Sequence, residues 1–221
     1  MAADVYPWRD NRPLKQVLAT SRPWLKKKQI IASGGGYSDA EIAGAEKRIG
    51  RPLPLEISEF YRAVRPLGIF SDDGPAGFGF YQIQQPELCW EMLGHDDAVP
   101  LEDWANAQGL SFGQSLYGDP IFWVKGHRTQ PDGCIMIFDH EQAIGDVYFA
   151  ILARSLSEFL GKIVFLNGLD GGDPLEDLED DEILNSEDDE LLAILNQDGD
   201  KYELFRKEYR ELNPTTQRHR A

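Results

Sequence analysis

Four histidines, two cysteines and a dense run of carboxylates are the groups in this 221-residue chain that could do chemistry. A zinc site needs about four N, S or O ligands converging on one point. His95 stands beside Asp96 and Asp97, and His140 lies between Asp139 and Glu141. Neither group, nor His127 or His219, shows the H-x-x-x-H or C-x-x-C spacing that builds a metal site from one helix or turn. A cysteine nucleophile needs a base and a setting that lowers its pKa. Cys134 follows His127 across an expected hairpin loop, and that spacing does not by itself join the two side chains. The flanks of Cys89 (Leu88, Trp90) and Cys134 (Ile135, Met136) are apolar, so both read as buried, reduced thiols. The stretch from Gly74 to Gly79 lacks the Gly-Lys-Ser/Thr ending of a phosphate loop and precedes a strand. Asn196 to Asp200 lacks the D-x-D-x-D-G spacing and the twelfth-place Glu of a calcium loop. No catalytic, cofactor or metal residue is therefore assigned, and the chain is not expected to be an enzyme.

The carboxylates point elsewhere. The formal net charge is −16, a balance that repels phosphate backbones and anionic membranes and attracts basic proteins. Neither nucleic acid nor a membrane is an expected partner. The charge is also uneven. Residues 1–37 are mildly basic, with Arg9, Arg12, Lys15, Arg22 and Lys26 to Lys28, whereas residues 170–200 hold fourteen acids and no base. A row of carboxylates can occupy a basic cleft and steer association with a cationic protein. The candidate contacts are Glu176, Asp177, Glu179, Asp180, Asp181, Glu182, Glu187, Asp188, Asp189 and Glu190, with Phe78 and Phe80 as exposed loop aromatics. The alternatives are a solubilising tail, or self-docking of the tract onto Arg22 to Lys28 within one chain or between two.

The elements that would carry these groups follow from periodicity. Ser33-Gly34-Gly35-Gly36 reads as a flexible joint. Ser38 and Glu41 form a capping box, Ile42, Ala45 and Ile49 keep helical spacing, and Gly50 stops the helix. A second helix from Leu55 carries Ile57, Phe60, Tyr61 and Val64. Strands are expected at 78–83, 110–115, 120–125, 134–138 and 147–152, with a short helix at 87–93. A closing helix opens at Ser155 and carries Leu156, Phe159, Leu160 and Ile163. Two tail helices are expected, one with Leu191, Leu192, Ile194 and Leu195, the other with Tyr202, Phe205, Tyr209 and Leu212. Their apolar faces should dock on the domain or on a partner. The class is α+β: an antiparallel sheet with a preceding helix pair and a closing helix, plus a helical acidic C-terminal extension. The zones are a basic N-terminal extension (1–36), a compact domain (37–167) and the acidic extension (168–221). The polar N-terminus has no apolar signal core and no run could span a bilayer, so cytoplasmic residence is expected.

Several motifs in this order resemble the SUKH superfamily: Ser38-Asp39-Ala40-Glu41-Ile42, Ala45-Glu46, Ile49-Gly50, Leu53-Pro54 and Phe60-Tyr61. Further on, Gly118-Asp119-Pro120-Ile121-Phe122, Asp139-His140-Glu141 and Ala153 to Leu160 are similar to its strand opening and closing segment. The resemblance spans roughly 37–166. Arg65-Pro66-Leu67-Gly68 stands where the family often has Asn-Gly. The resemblance implies an α+β protein-binding domain without a general catalytic residue. Bacterial members look like immunity proteins against toxin domains, often nucleases, and fungal relatives like regulators of cell-wall synthesis. The expected function is thus stoichiometric neutralisation of a basic toxin domain. The alternatives are a regulatory or scaffolding protein of the same fold, and a metal-dependent hydrolase using His127 or His140.

Overall fold

The first helix that the sequence predicts, α2 (Asp39–Ile49), opens on a reciprocal cap. The Glu41 N–H donates to Ser38 Oγ at 3.3 Å, and the Ser38 N–H donates to Glu41 Oε2 at 2.8 Å. Two otherwise orphaned donors are satisfied at once. Gly50 closes the helix at φ +79°. Ile42, Ala45 and Ile49 face inward, and α3 (Leu55–Ala63) buries Ile57, Phe60 and Tyr61 beside them. Ser38→Ala should lower stability by about 1 kcal/mol, read as a smaller urea midpoint with an unchanged m value.

A computed structural model describes residues 6, 8–9, 12–68, 78–88, 109–115, 118–126, 129–139, 148–165, 204, 207–208 and 211–213. The expected short helix at 87–93 and the helix carrying Leu191 to Leu195 lie largely or wholly outside them. One helix was not predicted. Leu14–Lys27 forms α1, with Leu14, Val17, Leu18, Ser21 and Leu25 buried along one stripe. Pro13 stands at its N-terminus without a side-chain cap, and Pro23 sits inside it. Pro23 has no N–H for the Ala19 carbonyl, so propensity alone argues against a helix here. Burial of the stripe against α3 and α4 (Leu156–Phe165) outweighs that loss.

Five strands form an antiparallel meander in the order β1-β2-β3-β4-β5: Phe78–Phe80, Leu110–Ser115, Pro120–Val124, Cys134–Asp139 and Tyr148–Ala153. The β2–β3 turn is tied by Asp119, whose buried carboxylate accepts the Ser115 hydroxyl at 2.9 Å. Ile121, Ile135, Ile137, Ala150 and Leu152 join the core shared with the helices. Phe122, Val124, Met136 and Ile151, of opposite parity, are buried too. The protein is thus α+β, with helices packed on an antiparallel sheet.

Three expectations change. Ser33–Gly36 is not a free joint: Arg22 Nη2 donates to the Gly34 carbonyl at 2.9 Å and to the Ala63 carbonyl at 3.0 Å. A Cβ on Gly36 would lie 2.2 Å from the Arg62 carbonyl, so close backbone approach explains that glycine. Residues before 37 are also part of the core, since Tyr6, Trp8, Leu14, Leu25, Ile30 and Ile31 belong to it. Phe78 and Phe80, expected as exposed contacts, are 4% and 0% exposed. The Phe-Gly-Phe alternation turns both rings to one face, where Phe80 meets Phe60 at 4.6 Å and Phe78 meets Phe159 at 6.0 Å. Both rings belong to the core and not to an exposed loop. Among the described residues, no helix is long and apolar enough to cross a membrane.

Candidate functional site

The ten acidic candidates between 176 and 190 lie outside the described residues, as do His95, His127, His140, His219 and Cys89. What the structure does describe is how the chain is held on either side of them. Helix α4 ends at Phe165, and Leu204 packs against the core at the far side of residues 166–203.

The far anchor is built around Glu208, whose side chain is fully buried. Its Oε2 accepts from Lys162 Nζ at 2.6 Å and from the Trp8 indole N–H. Its Oε1 accepts from Arg9 Nε at 2.6 Å and Arg154 Nη1 at 3.2 Å. One turn on, Glu211 accepts from Arg9 Nη2 at 2.9 Å and from the Tyr6 hydroxyl at 2.8 Å. The Arg9 guanidinium stacks 4.0 Å over the Tyr6 ring. Residues near the two ends of the chain thus close on each other and on α4.

Lys162 is buried for a local reason. Ile135 pairs with Ala153 and Met136 with Ile151, so Leu152 is the extra residue of a β-bulge. Its carbonyl accepts from Lys162 Nζ. The ammonium that satisfies the bulge needs a counter-charge, and Glu208 supplies it. The same C-terminal segment guards the sheet edge. Strand β5 is terminal in the sheet, and Asn213 both accepts the Ile151 N–H (2.8 Å) and donates to the Ile151 carbonyl (3.0 Å). Its amide takes the place of a neighbouring strand residue. The expected docking of the tail is realised here through Glu208, Leu212 and Asn213, all buried.

The electrostatics follow from burial and contact. Burial would raise the Glu208 carboxyl, but the Lys162 charge and the hydrogen bonds from Lys162, Arg9 and Trp8 outweigh it and hold the group below its ordinary range. Burial raises Glu158, against the opposing charge of Lys162. The Tyr6 hydroxyl is pushed up to about 12, first by burial and then by its bond to Glu211. In the basic stretch, Arg22 donates to backbone carbonyls and Lys28 lies over Trp24 at 5.9 Å.

Of the histidines and cysteines weighed for chemistry, Cys134 is the one that falls among the described residues. Cys134 is fully buried on β4, and burial pushes its thiol up to about 12, the wrong direction for a nucleophile. In a Cys89→Ser variant, we expect iodoacetamide to label Cys134 at least about a hundredfold faster in denaturant than in the folded state. Equal rates would contradict the burial. Among the described residues, no three His, Cys, Asp or Glu side chains converge to hold a metal ion.

The family model described as SMI1 / KNR4 family (SUKH-1) matches residues 36–162, a span from the approach to α2 into the body of α4. Neither a curated protein nor a solved structure matches the chain. At the level of the family, the match supports a protein-binding immunity or regulatory module, and such proteins are generally non-enzymatic binders. The capped α2, the Gly118-Asp119 turn and the closing α4 all fall within the matched residues, and with more than half of its length covered the chain belongs to the SMI1/KNR4 (SUKH-1) family.

Proposed function

We propose that this chain is an immunity protein that binds a basic, nuclease-like toxin domain one to one, with the acidic tract as its principal contact. The observation that carries the reading is the pairing of fourteen acids and no base in residues 170–200 with the anchors at Phe165 and Glu208 on either side. On either side of the tract, the described residues Phe165 and Glu208 pack on the domain. Carboxylates gathered there raise the encounter rate with a cationic protein. The partner class is a basic protein, without nucleic acid or membrane, and the proposed location is cytoplasmic.

The test is a titration of the toxin-like product encoded beside this gene, scored by calorimetry and by residual nuclease activity. We expect activity to vanish at one equivalent. Replacing the ten candidate acids between 176 and 190 with their amides should weaken binding by at least about a hundredfold. Undiminished binding by that variant would remove the tract from the interface. Absence of any complex would favour the regulatory or scaffolding reading.

A further inference from the structure

Helix α1 carries a charge opposite to that of the chain as a whole. Residues 12–37 contain Arg12, Lys15, Arg22 and Lys26 to Lys28, and no acid. Lys15, Ala19, Arg22 and Lys26 fall at i, i+4, i+7 and i+11 of the helix, so they form one stripe, turned away from the buried Leu14, Val17, Leu18 and Leu25. Lys15 and Lys26 are exposed, as is Lys27 beside them. Among the described residues, Lys15, Arg22, Lys26 and Lys27 meet no carboxylate. The acids of the adjoining segment are already spent, Asp39 on Arg62 at 2.9 Å and Glu41 on Arg65 at 3.1 Å. Arg22 donates only to backbone carbonyls, and its buried Nε has no partner. The stripe is a surplus of positive charge on a chain of net charge −16.

Helix stability explains part of this pattern. Lys26 and Lys27 stand in the last turn, where cations complement the negative end of the macrodipole. Lys15 stands in the first turn, where a cation is unfavourable and no acid offsets it. A counter-charge laid along the stripe would offset Lys15 and Arg22 as well as Lys26. The chain brings one to the foot of the helix. Trp8 meets the Phe165 ring edge-on at 5.2 Å and donates its indole N–H to Glu208. With Arg12, Val17 and Thr20 it lines a groove between α1 and α4. The described residues on both sides of the acidic tract thus meet at one indole, beside the N-terminal half of α1. The 14 residues of α1 span about 21 Å. The roughly ten positions between Phe165 and Glu176 reach about 33 Å when extended, more than the length of the stripe.

We propose that the basic stripe of α1 is a docking surface for the acidic tract of the same chain, with Lys15, Arg22 and Lys26 facing carboxylates between Glu176 and Glu190. Charge selects this occupant, because residues 170–200 hold fourteen acids and no base. Tethering selects the same chain over a second copy, because a linked site acts at an effective concentration of about 1 mM. The contact does not require a toxin. Under the toxin reading it makes α1 a competitor for the tract, so that only a domain more cationic than the stripe draws the carboxylates away.

The test uses the full chain, labelled with 15N at low salt, beside a variant with amides at the ten tract acids. A blocked peptide of residues 174–190 is the probe. We expect the Lys15, Ala19 and Lys26 backbone resonances to differ between the two proteins, and to stay constant when either is diluted about tenfold. The peptide should shift them saturably in the amide variant, whose stripe is vacant, and bind about tenfold more weakly to wild type, whose stripe is taken. Adding Lys15→Gln and Lys26→Gln to the amide variant should abolish the response. Adding Lys47→Gln and Lys125→Gln, the same change in net charge, should leave it intact. All four lysines are exposed, so these variants stay folded and a lost shift reports on binding. A peptide that leaves α1 unmoved in the amide variant, binds wild type equally well, or is indifferent to Lys15 and Lys26 would overturn the proposal. So would wild-type α1 resonances that move with protein concentration, because a second copy would then be the occupant. No toxin is present, so this titration and the toxin titration can fail separately.

Discussion

Glu208→Gln is expected to lower stability by about 3–5 kcal/mol, the cost of breaking a buried ion pair by removing one partner. Lys162 stays at 2% exposure, held by the Leu152 carbonyl, and cannot rehydrate when the carboxylate is gone. Arg9 and Arg154, about one-third exposed, turn to solvent at little cost. Adding Lys162→Met should recover part of the loss, because the uncompensated charge disappears while the Leu152 carbonyl loses its donor. The pH dependence has a definite sign. The folded Glu208 carboxyl lies below its unfolded value, so the unfolded chain binds the proton more readily. The stabilisation is complete above the unfolded value of about 4.3 and is lost as pH falls through the folded one. The gap between wild type and Glu208→Gln, measured by urea denaturation, should narrow below about pH 4. A gap independent of pH would show that the carboxylate charge is not what holds the anchor.

Phe80→Ala should cost a similar amount, about 3–5 kcal/mol, through loss of a fully buried ring and the cavity it leaves. Phe60, Phe112, Phe78 and Phe159 surround it, with centroids between 4.6 Å and 6.4 Å. The ring ties β1 to β2, α3 and α4 at once, so little of the site can collapse inward. The measurement is the denaturant midpoint beside the affinity for partner. A surface contact would give weaker binding with an unchanged midpoint, and that result would contradict the burial.

What the sequence reveals divides along a physical line. Local signals carry through: Ser38 with Glu41, Gly50, the Gly118-Asp119 turn and the β-rich runs each specify geometry within a few residues, and these elements form close to where they were expected, although β1 stops at Phe80 instead of running to Ile83 and Leu88 pairs with Leu110 in a β-bridge where a helix was expected. Helix α1 is hidden because Pro13 and Pro23 deny it both cap and propensity, leaving only the stripe of Leu14, Val17, Leu18 and Leu25 as a signal. The anchor is hidden for another reason. Tyr6 and Glu211 are 205 positions apart, and Trp8 and Glu208 are 200 apart, so no local period links them. One clue stood in plain view: Lys162 falls between Phe159 and Ile163 on the apolar side of α4, a place where a lysine needs a buried acid. Phe78 and Phe80 carried a readable clue as well, since two aromatics alternating about a glycine share one face of a strand.

The most direct measurement is the association rate constant between this chain and the basic toxin domain proposed as its partner, followed by stopped flow across ionic strengths from about 20 mM to about 200 mM. We expect a fall of at least about tenfold over that range, and a flat, slow profile for the variant with amides at the ten acidic positions. A wild-type rate indifferent to salt, or one matched by the amide variant, would show that the carboxylates of the tract do not recruit the partner.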